Sequence, residues 1–361
     1  FWTFIVQSRI NGNTIITLVF LVIKWIIEIF LCGTQDIQTI HIRFAIFRRV
    51  VTLMIRKNGS LHQSLGKTSK LMNNRLALGT VQFGLPYGIA SQGKKVAPDK
   101  TDAILSAARE GGIDILDTAI SYGECEQLLG QIGVDKWQVV TKLPEVPEAC
   151  KDVACWVQDS VADSLKRLGI PSLHGILLHR PEQLLGAHGD DLFRALVAIR
   201  EQGRTKKIGV SIYAPDELDT LWPHYHFDIV QSPLNILDRR LISSGWLARL
   251  HKAGTEVHVR SVFLQGLLLM DAISRPEKFN RWQSFWDQWH CFLSDQGIHA
   301  VQGCLAIALA KPEIDRVVVG VDSLKQLKEI LAFAKNSITI PPESLMCDDL
   351  DLISPSRWGA F

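Results

Sequence analysis

"ILDTAISYGECEQLLG", Ile115 to Gly130, is the stretch whose reading decides the fold. Small and apolar residues lead into a carboxylate, Asp117, which closes a short β-like run. Tyr122 follows in a loop, with Gly123 and Glu124 after it, and an amphipathic run then begins. This is a strand, a loop and a helix in succession, the repeating unit of α/β architectures. The acid and the phenol both lie where the strand ends and the helix opens.

The same alternation runs outward in both directions. From Leu76 onward, strands are expected at 76–81, 114–117, 138–143, 175–179, 207–212, 229–234, 256–262 and 316–321. Helices are expected near 99–111, 124–132, 152–168, 190–202, 215–221, 239–253, 298–310 and 323–335, with Asp99 and Ser323 as caps. The strands carry apolar residues on both parities, which marks strands covered on both faces and hence a parallel sheet. Eight such units over about 260 residues fit a (β/α)8 TIM barrel. A doubly wound open sheet is the competing topology, but no G-x-G-x-x-G follows the first strand. The longest insertion, about Gly266 to Asp295, follows the seventh strand. It carries Trp282, Trp286 and Trp289 on one helical face, and at least one of them is expected to line a substrate pocket.

The chain has 361 residues, 47% of them apolar, enough for a sizeable core. A net charge of +2 gives no nucleic-acid footprint. The seven cysteines are scattered and form no C-x-x-C pair, so neither a disulfide framework nor a metal site is expected, and a reducing, cytoplasmic setting is. Three segments are expected: an apolar and basic extension over 1–71, a barrel over 72–340 and a tail over 341–361. Within the extension, Thr14 to Gly33 has the length of a membrane span, although Lys24 and Glu28 interrupt it. Arg43, Arg48, Arg49, Arg56 and Lys57 follow and would place the rest of the chain on the cytoplasmic side of such an anchor. The competing expectation is that 1–71 is not part of the native protein, since the chain opens on Phe1 and Met72 stands just before the first strand. No A-x-A-like cleavage site follows the apolar run.

In a (β/α)8 barrel the chemistry sits at the C-terminal strand ends. Asp117 and Tyr122 belong to the second unit, Lys142 to the third strand and His179 to the end of the fourth. Taken singly, each has an ordinary structural role: a cap, a packing ring, a lysine reaching the rim, a core histidine. Taken together they are neighbours with complementary chemistry. A buried lysine needs a counter-charge, which Asp117 can supply. A lysine beside a phenol favours the phenolate and lowers its pKa, so that the phenol can exchange a proton with a carbonyl oxygen.

From about Leu76 to Ala334 the chain resembles the aldo-keto reductase superfamily. The resemblance is carried by "LALGTVQFG", "ILDTAISYGECEQLLG", "VVTKLP", "LLHRP", "IGVSIY", "IVQSPLN" and "VVVGVDSLKQLKEIL". It implies reduction of an aldehyde or ketone, with Tyr122 as general acid, Lys142 tuning it, Asp117 holding Lys142 and His179 orienting the carbonyl. It also implies a nicotinamide dinucleotide bound without a Rossmann fold. Ser211 and Gln231 would hold the carboxamide, and Ser261, Phe263, Leu264 and Gly266 would line the pyrophosphate side. Gly320, Val321, Asp322, Ser323 and Gln326 would form the adenosine-phosphate loop.

The family pattern favours NADP(H). Three departures keep NAD(H) in play: Ile212 follows the serine, Asp322 stands where a cation is common, and Ile330 replaces an adenine-contacting Asn. The form "ALGTVQFGLPYGIA" resembles members among bacterial sugar and polysaccharide enzymes, which implies a sugar-related carbonyl. Two other functions fit the same fold: a non-catalytic nicotinamide-binding regulatory subunit, and an aldolase-like barrel using Lys142 as a Schiff-base lysine.

Overall fold

A computed structural model of the chain describes residues 75–89, 94–336 and 339–360. The apolar run at 14–33 and the rest of the expected extension lie outside the described residues. Eight strands follow one another: β1 (Leu76–Gly79), β2 (Ile115–Asp117), β3 (Gln138–Leu143), β4 (Leu173–Leu178), β5 (Thr205–Ser211), β6 (Ile229–Pro233), β7 (Glu256–Arg260) and β8 (Arg316–Gly320). Each pairs in parallel with its sequence neighbours, and β8 returns to β1, closing a barrel. Every strand falls within two residues of its expected start and within two of its end, so the barrel reading holds.

The helices are α1 (Val81–Gly84), α2 (Pro98–Glu110), α3 (Cys125–Ile132), α4 (Val153–Leu168), α5 (Gly189–Glu201), α6 (Glu217–Leu221), α7 (Arg240–Ser243), α8 (Trp246–Lys252), α9 (Gln283–Gln296), α10 (Ala300–Leu309), α11 (Leu324–Phe333) and α12 (Leu350–Ile353). The helix expected over 239–253 is two helices, because Gly245 takes a left-handed conformation (φ 79°) between α7 and α8. Asp152 caps α4 and Ser323 caps α11, each accepting a backbone N–H in the first turn.

Side chains alternate between the barrel interior and the helical layer. Ala77, Ile115, Val140, Leu177, Ile229 and Val318 form a separate apolar cluster, the plug of the barrel. The residues between them, such as Leu76, Leu78, Leu116, Val139 and Ile176, join the larger core beneath the helices. The opening of β7 carries a charged knot: Glu256 accepts hydrogen bonds from His174, His258 and Lys207, which together hold its carboxyl far below the usual range despite burial. Such charge at the N-terminal mouth serves the fold rather than the site.

The segment expected as a tail is packed rather than trailing. Leu345, Leu352, Ile353 and Trp358 are buried. Trp358 meets Phe279 edge to face at 4.9 Å, and Arg281 reaches Asp351 at 2.8 Å. Arg239 donates to the carbonyls of Pro341 and Pro342. The 72–340 boundary therefore cuts through a packed unit.

Candidate functional site

The interior alternation that makes the plug also makes the site. Two residues past each plug position, at the C-terminal ends of the strands, stand Gly79, Asp117, Lys142, His179, Gln231 and Gly320. The pairing Ser211↔Gln231 brings Ser211 into the same layer. One step along the strand thus converts an apolar floor into a polar ring. All seven line one cavity of about 1270 Å³.

Tyr122 reaches this cavity from the loop between β2 and α3. The loop is set by two close approaches. Gly84 of α1 lies so near that a Cβ there would fall 1.8 Å from the Tyr122 carbonyl oxygen. Gly123 turns the chain with φ 57°, a conformation that side chains disfavour. The Tyr122 ring meets the His179 ring edge-on at 6.1 Å, and Lys142 Nζ lies 5.4 Å from the phenol ring centroid.

A hydrogen-bonded chain runs beneath the phenol. Lys142 Nζ donates to Asp117 Oδ1 at 2.7 Å and to the Thr118 carbonyl at 2.9 Å. Gln231 Nε2 donates to Asp117 Oδ2 at 2.6 Å, and Ser211 Oγ donates to Gln231 Oε1 at 3.1 Å. Lys142 is 1% exposed and Asp117 5%, so each charge depends on the other.

The electrostatics correct one expectation. Burial, followed by the Asp117 charge, pushes the Tyr122 phenol well above its ordinary value, and Arg260 opposes this in part. The net shift is upward, not the lowering expected from a neighbouring lysine; the Lys142 ammonium is itself paired with Asp117 at 2.7 Å. His179 moves the other way. Burial first, then the Lys142 and Arg260 charges, lower it to about 4, so its ring is neutral at neutral pH. Ser121 Oγ lies 3.3 Å from His179 Nδ1, a partner that was not evident from sequence.

The residues expected to hold a dinucleotide divide. Ser211, Gln231, Ser261, Phe263, Gly266, Gly320, Asp322 and Gln326 line the cavity. The side chains of Leu264 and Val321 do not; both are packed in the core. Ser323 spends its hydroxyl on the Gln326 N–H as the cap of α11. After β7 the backbone is left-handed at Ser261, Leu264 and Gln265 as well as at Gly266, strain of the kind that accumulates at ligand sites. Two buried acceptors, Gln82 Oε1 and Asp322 Oδ1, lack hydrogen-bond partners, and both residues line the cavity. Volume, strained wall and orphaned acceptors together suit a hydroxyl-rich dinucleotide.

The insertion after β7 does form part of the wall, through Leu269, Met270, Asp271 and Ser274. The tryptophans do not contribute. Trp286 and Trp289 are 1% exposed, with their indole N–H groups on the carbonyls of Phe279 and Leu268, and Trp282 donates to Asp349. The stripe is packing. Sequence reasoning missed Tyr213, Glu217 and Arg260, as well as the tail residues Ile353 to Ser356. The strand-pair register Pro233↔Arg260 puts Arg260 in step with the inward-facing side of β6, so counting parity along "EVHVR" would have found it.

A family model described as the aldo/keto reductase family matches residues 75–344. An aldo-keto reductase of Mycolicibacterium paratuberculosis is 32% identical over 133 residues, 35% of this chain and 44% of that protein. A 6-dehydroglucose reductase of Novosphingobium aromaticivorans is 27% identical over 169 residues, 42% of this chain and 53% of that protein. The chain thus spans about half the length of these curated relatives. Among solved structures, an aldo-keto reductase from Bacillus halodurans superposes with a TM-score of 0.59 at 20% identity, covering 74% of this chain and 89% of that one, a likeness of fold. With a family match over most of its length and a closed eight-stranded barrel, the chain belongs to the aldo/keto reductase family, a family of oxidoreductases.

Proposed function

We propose that the protein reduces an aldehyde or ketone to an alcohol with a nicotinamide dinucleotide, using Tyr122 as proton donor. The observation that carries this reading is the convergence of Tyr122, His179 and the Lys142–Asp117 pair on one cavity. When bound, the cofactor would supply hydride to the carbonyl carbon. The chain's own residues manage the oxygen. Neutral His179 can donate an N–H to it and orient it. Tyr122 keeps its proton until an alkoxide develops, a base strong enough to take it. The Lys142 ammonium, 5.4 Å from the ring centroid, would stabilise the phenolate left behind and offset part of the burial that keeps the phenol protonated.

Gln82, Ser211, Gln231 and the strained wall from Ser261 to Gly266 would hold the cofactor. At the β8 end the wall carries Asp322 and Glu329. Carboxylates there repel a 2′-phosphate and accept ribose hydroxyls, so the family's NADPH preference should be weak here and NADH serviceable. The 6-dehydroglucose reductase relative and the sequence around Val81 to Gly88 favour a sugar-related carbonyl. The Schiff-base alternative is disfavoured because Lys142 is engaged with Asp117 at 2.7 Å, not presented free of a carboxylate in an apolar site. The free cysteines suit a cytoplasmic setting, and among the described residues no helix is long and apolar enough to cross a membrane.

The test is a carbonyl panel, including small aldehydes and keto-sugars, with NADH and NADPH, read at the nicotinamide absorbance band. Turnover is expected, and Tyr122→Phe should lower kcat by about 10²–10⁴ while cofactor quenching of tryptophan fluorescence persists. Wild-type kcat in that variant would remove the phenol from the mechanism.

A further inference from the structure

We infer that Arg260 is an anion-recognising residue, and that the substrate is a carbonyl compound bearing a carboxylate. This rests on the reductase reading and names its substrate class. Arg260 ends β7 and lines the cavity. Its influence reaches both members of the proposed proton machinery, since it opposes the rise at Tyr122 and adds to the fall at His179.

The guanidinium is held in place but not neutralised. Nη1 donates to Ser261 Oγ at 3.2 Å and Nη2 to the Ile212 carbonyl at 3.0 Å, both uncharged acceptors. Among the described residues no carboxylate pairs with it. A guanidinium has about five N–H donors, so most of this one remains uncommitted. It also lies 5.0 Å from the centroid of the Tyr213 ring, whose other guanidinium neighbour, Arg180, stands at 5.5 Å.

The nearby acids are occupied. Lys142 and Asp117 cancel one another. Glu182 sits 3.8 Å from Arg180. Glu217 turns Oε1 onto the backbone N–H groups of Tyr213 and Ala214, both at 2.7 Å. Beside the phenol this leaves a guanidinium with no ion-pair partner among the described residues and a planar fork of donors, half-buried where water screens it poorly. A carboxylate matches that fork and that single charge. A phosphate would bring a second negative charge toward Glu182 and Glu217.

The experiment compares 4-oxobutanoate with its methyl ester, which share the aldehyde and differ in charge, in the full chain and in Arg260→Gln and Arg260→Lys. Gln can retain a bond to the Ile212 carbonyl while removing the charge. Wild-type kcat/KM should favour the acid by about tenfold or more, the charge-assisted share of a bidentate pair. Arg260→Gln should collapse that ratio toward one, and Arg260→Lys should restore only part of it. A purely structural role would lower both substrates together and leave the ratio alone. Calorimetric titration with 4-hydroxybutanoate, a monoanion, gives a readout independent of turnover: the wild type should bind it, and Arg260→Gln should bind it at least about tenfold more weakly. An unchanged ratio, equal 4-hydroxybutanoate binding, or a loss of NADH binding in place of acid preference would overturn the inference. If no carbonyl in the panel is reduced while 4-hydroxybutanoate binding still depends on Arg260, the reductase reading fails and the anion site stands.

Discussion

The phenol and the imidazole at the cavity mouth are tuned in opposite directions by the same burial. Tyr122 is held protonated and His179 is held neutral. A lowered histidine stays uncharged from its folded value of about 4 upward, and a raised phenol stays protonated through the mildly alkaline range. The kcat/KM for reduction should therefore be level between roughly pH 5.5 and 9, far from either titration. It should fall only on the acid side as His179 charges. A loss centred near pH 7 would show that the imidazole is not held neutral. Lys142 offers a second test at this scale. Lys142→Met leaves Asp117 buried and unpaired, at a cost of about 3–5 kcal/mol. Adding Asp117→Asn should recover much of that stability in urea unfolding without recovering turnover. Equal stability of the single and double variants would mean that the pair is not a coupled buried unit. Asp117, Tyr122, Lys142 and His179 were legible in the sequence because each sits at a strand end or in the loop just past one. The sign of the phenol's shift was not legible, since it depends on how deeply a ring is buried and on which neighbour has already spent its charge.

Among the elements, α9 shows what periodicity can and cannot say. The spacing of Trp282, Trp286 and Trp289 announces a single face, and the structure delivers Trp286 and Trp289 on it. Periodicity does not say whether such a face meets a cavity or a neighbour. Here the neighbour is α10, where Gly303 lets the Trp289 ring approach so closely that a Cβ would fall 2.7 Å from it. Trp289→Ala should then cost about 3–5 kcal/mol and leave KM for a small aldehyde within threefold. A changed KM at unchanged stability would return the indole to the pocket wall. A further contact, between α3 and α4, was equally hidden. Glu126 of α3 is 2% exposed and takes hydrogen bonds from Thr141 of β3 and from Ser164 and Arg167 of α4. Nothing in "GECEQ" separates this buried acid from a solvated one; the distinction is made by partners far away in sequence.

At the scale of the whole molecule, the barrel closes within the described residues, and this gives opposite expectations for its two ends. Strand β1 pairs with both β2 and β8. Arg75, just before it, donates to the carbonyls of Leu309 and Ile314 and so ties the first strand to the end of α10 and the approach to β8. Among the described residues, the eight strands form the closed barrel and the cavity is lined by residues from Gly79 onward. We therefore expect 72–361 to fold as a unit, with an urea transition matching that of the full chain and cofactor quenching intact. The other end is different. Residues 341–360 bury Leu345, Leu352, Ile353 and Trp358, close over Phe279, and lend Ile353 to Ser356 to the cavity wall. Stopping the chain after Ile340 uncovers that apolar surface and opens the cavity at once. Such a chain should unfold at lower urea, bind an environment-sensitive dye such as ANS, and lose affinity for carbonyl substrate. If it instead retains the full transition and KM, the terminal segment is an appendage after all; if 72–361 is the chain that fails, the fold depends on residues before the first strand.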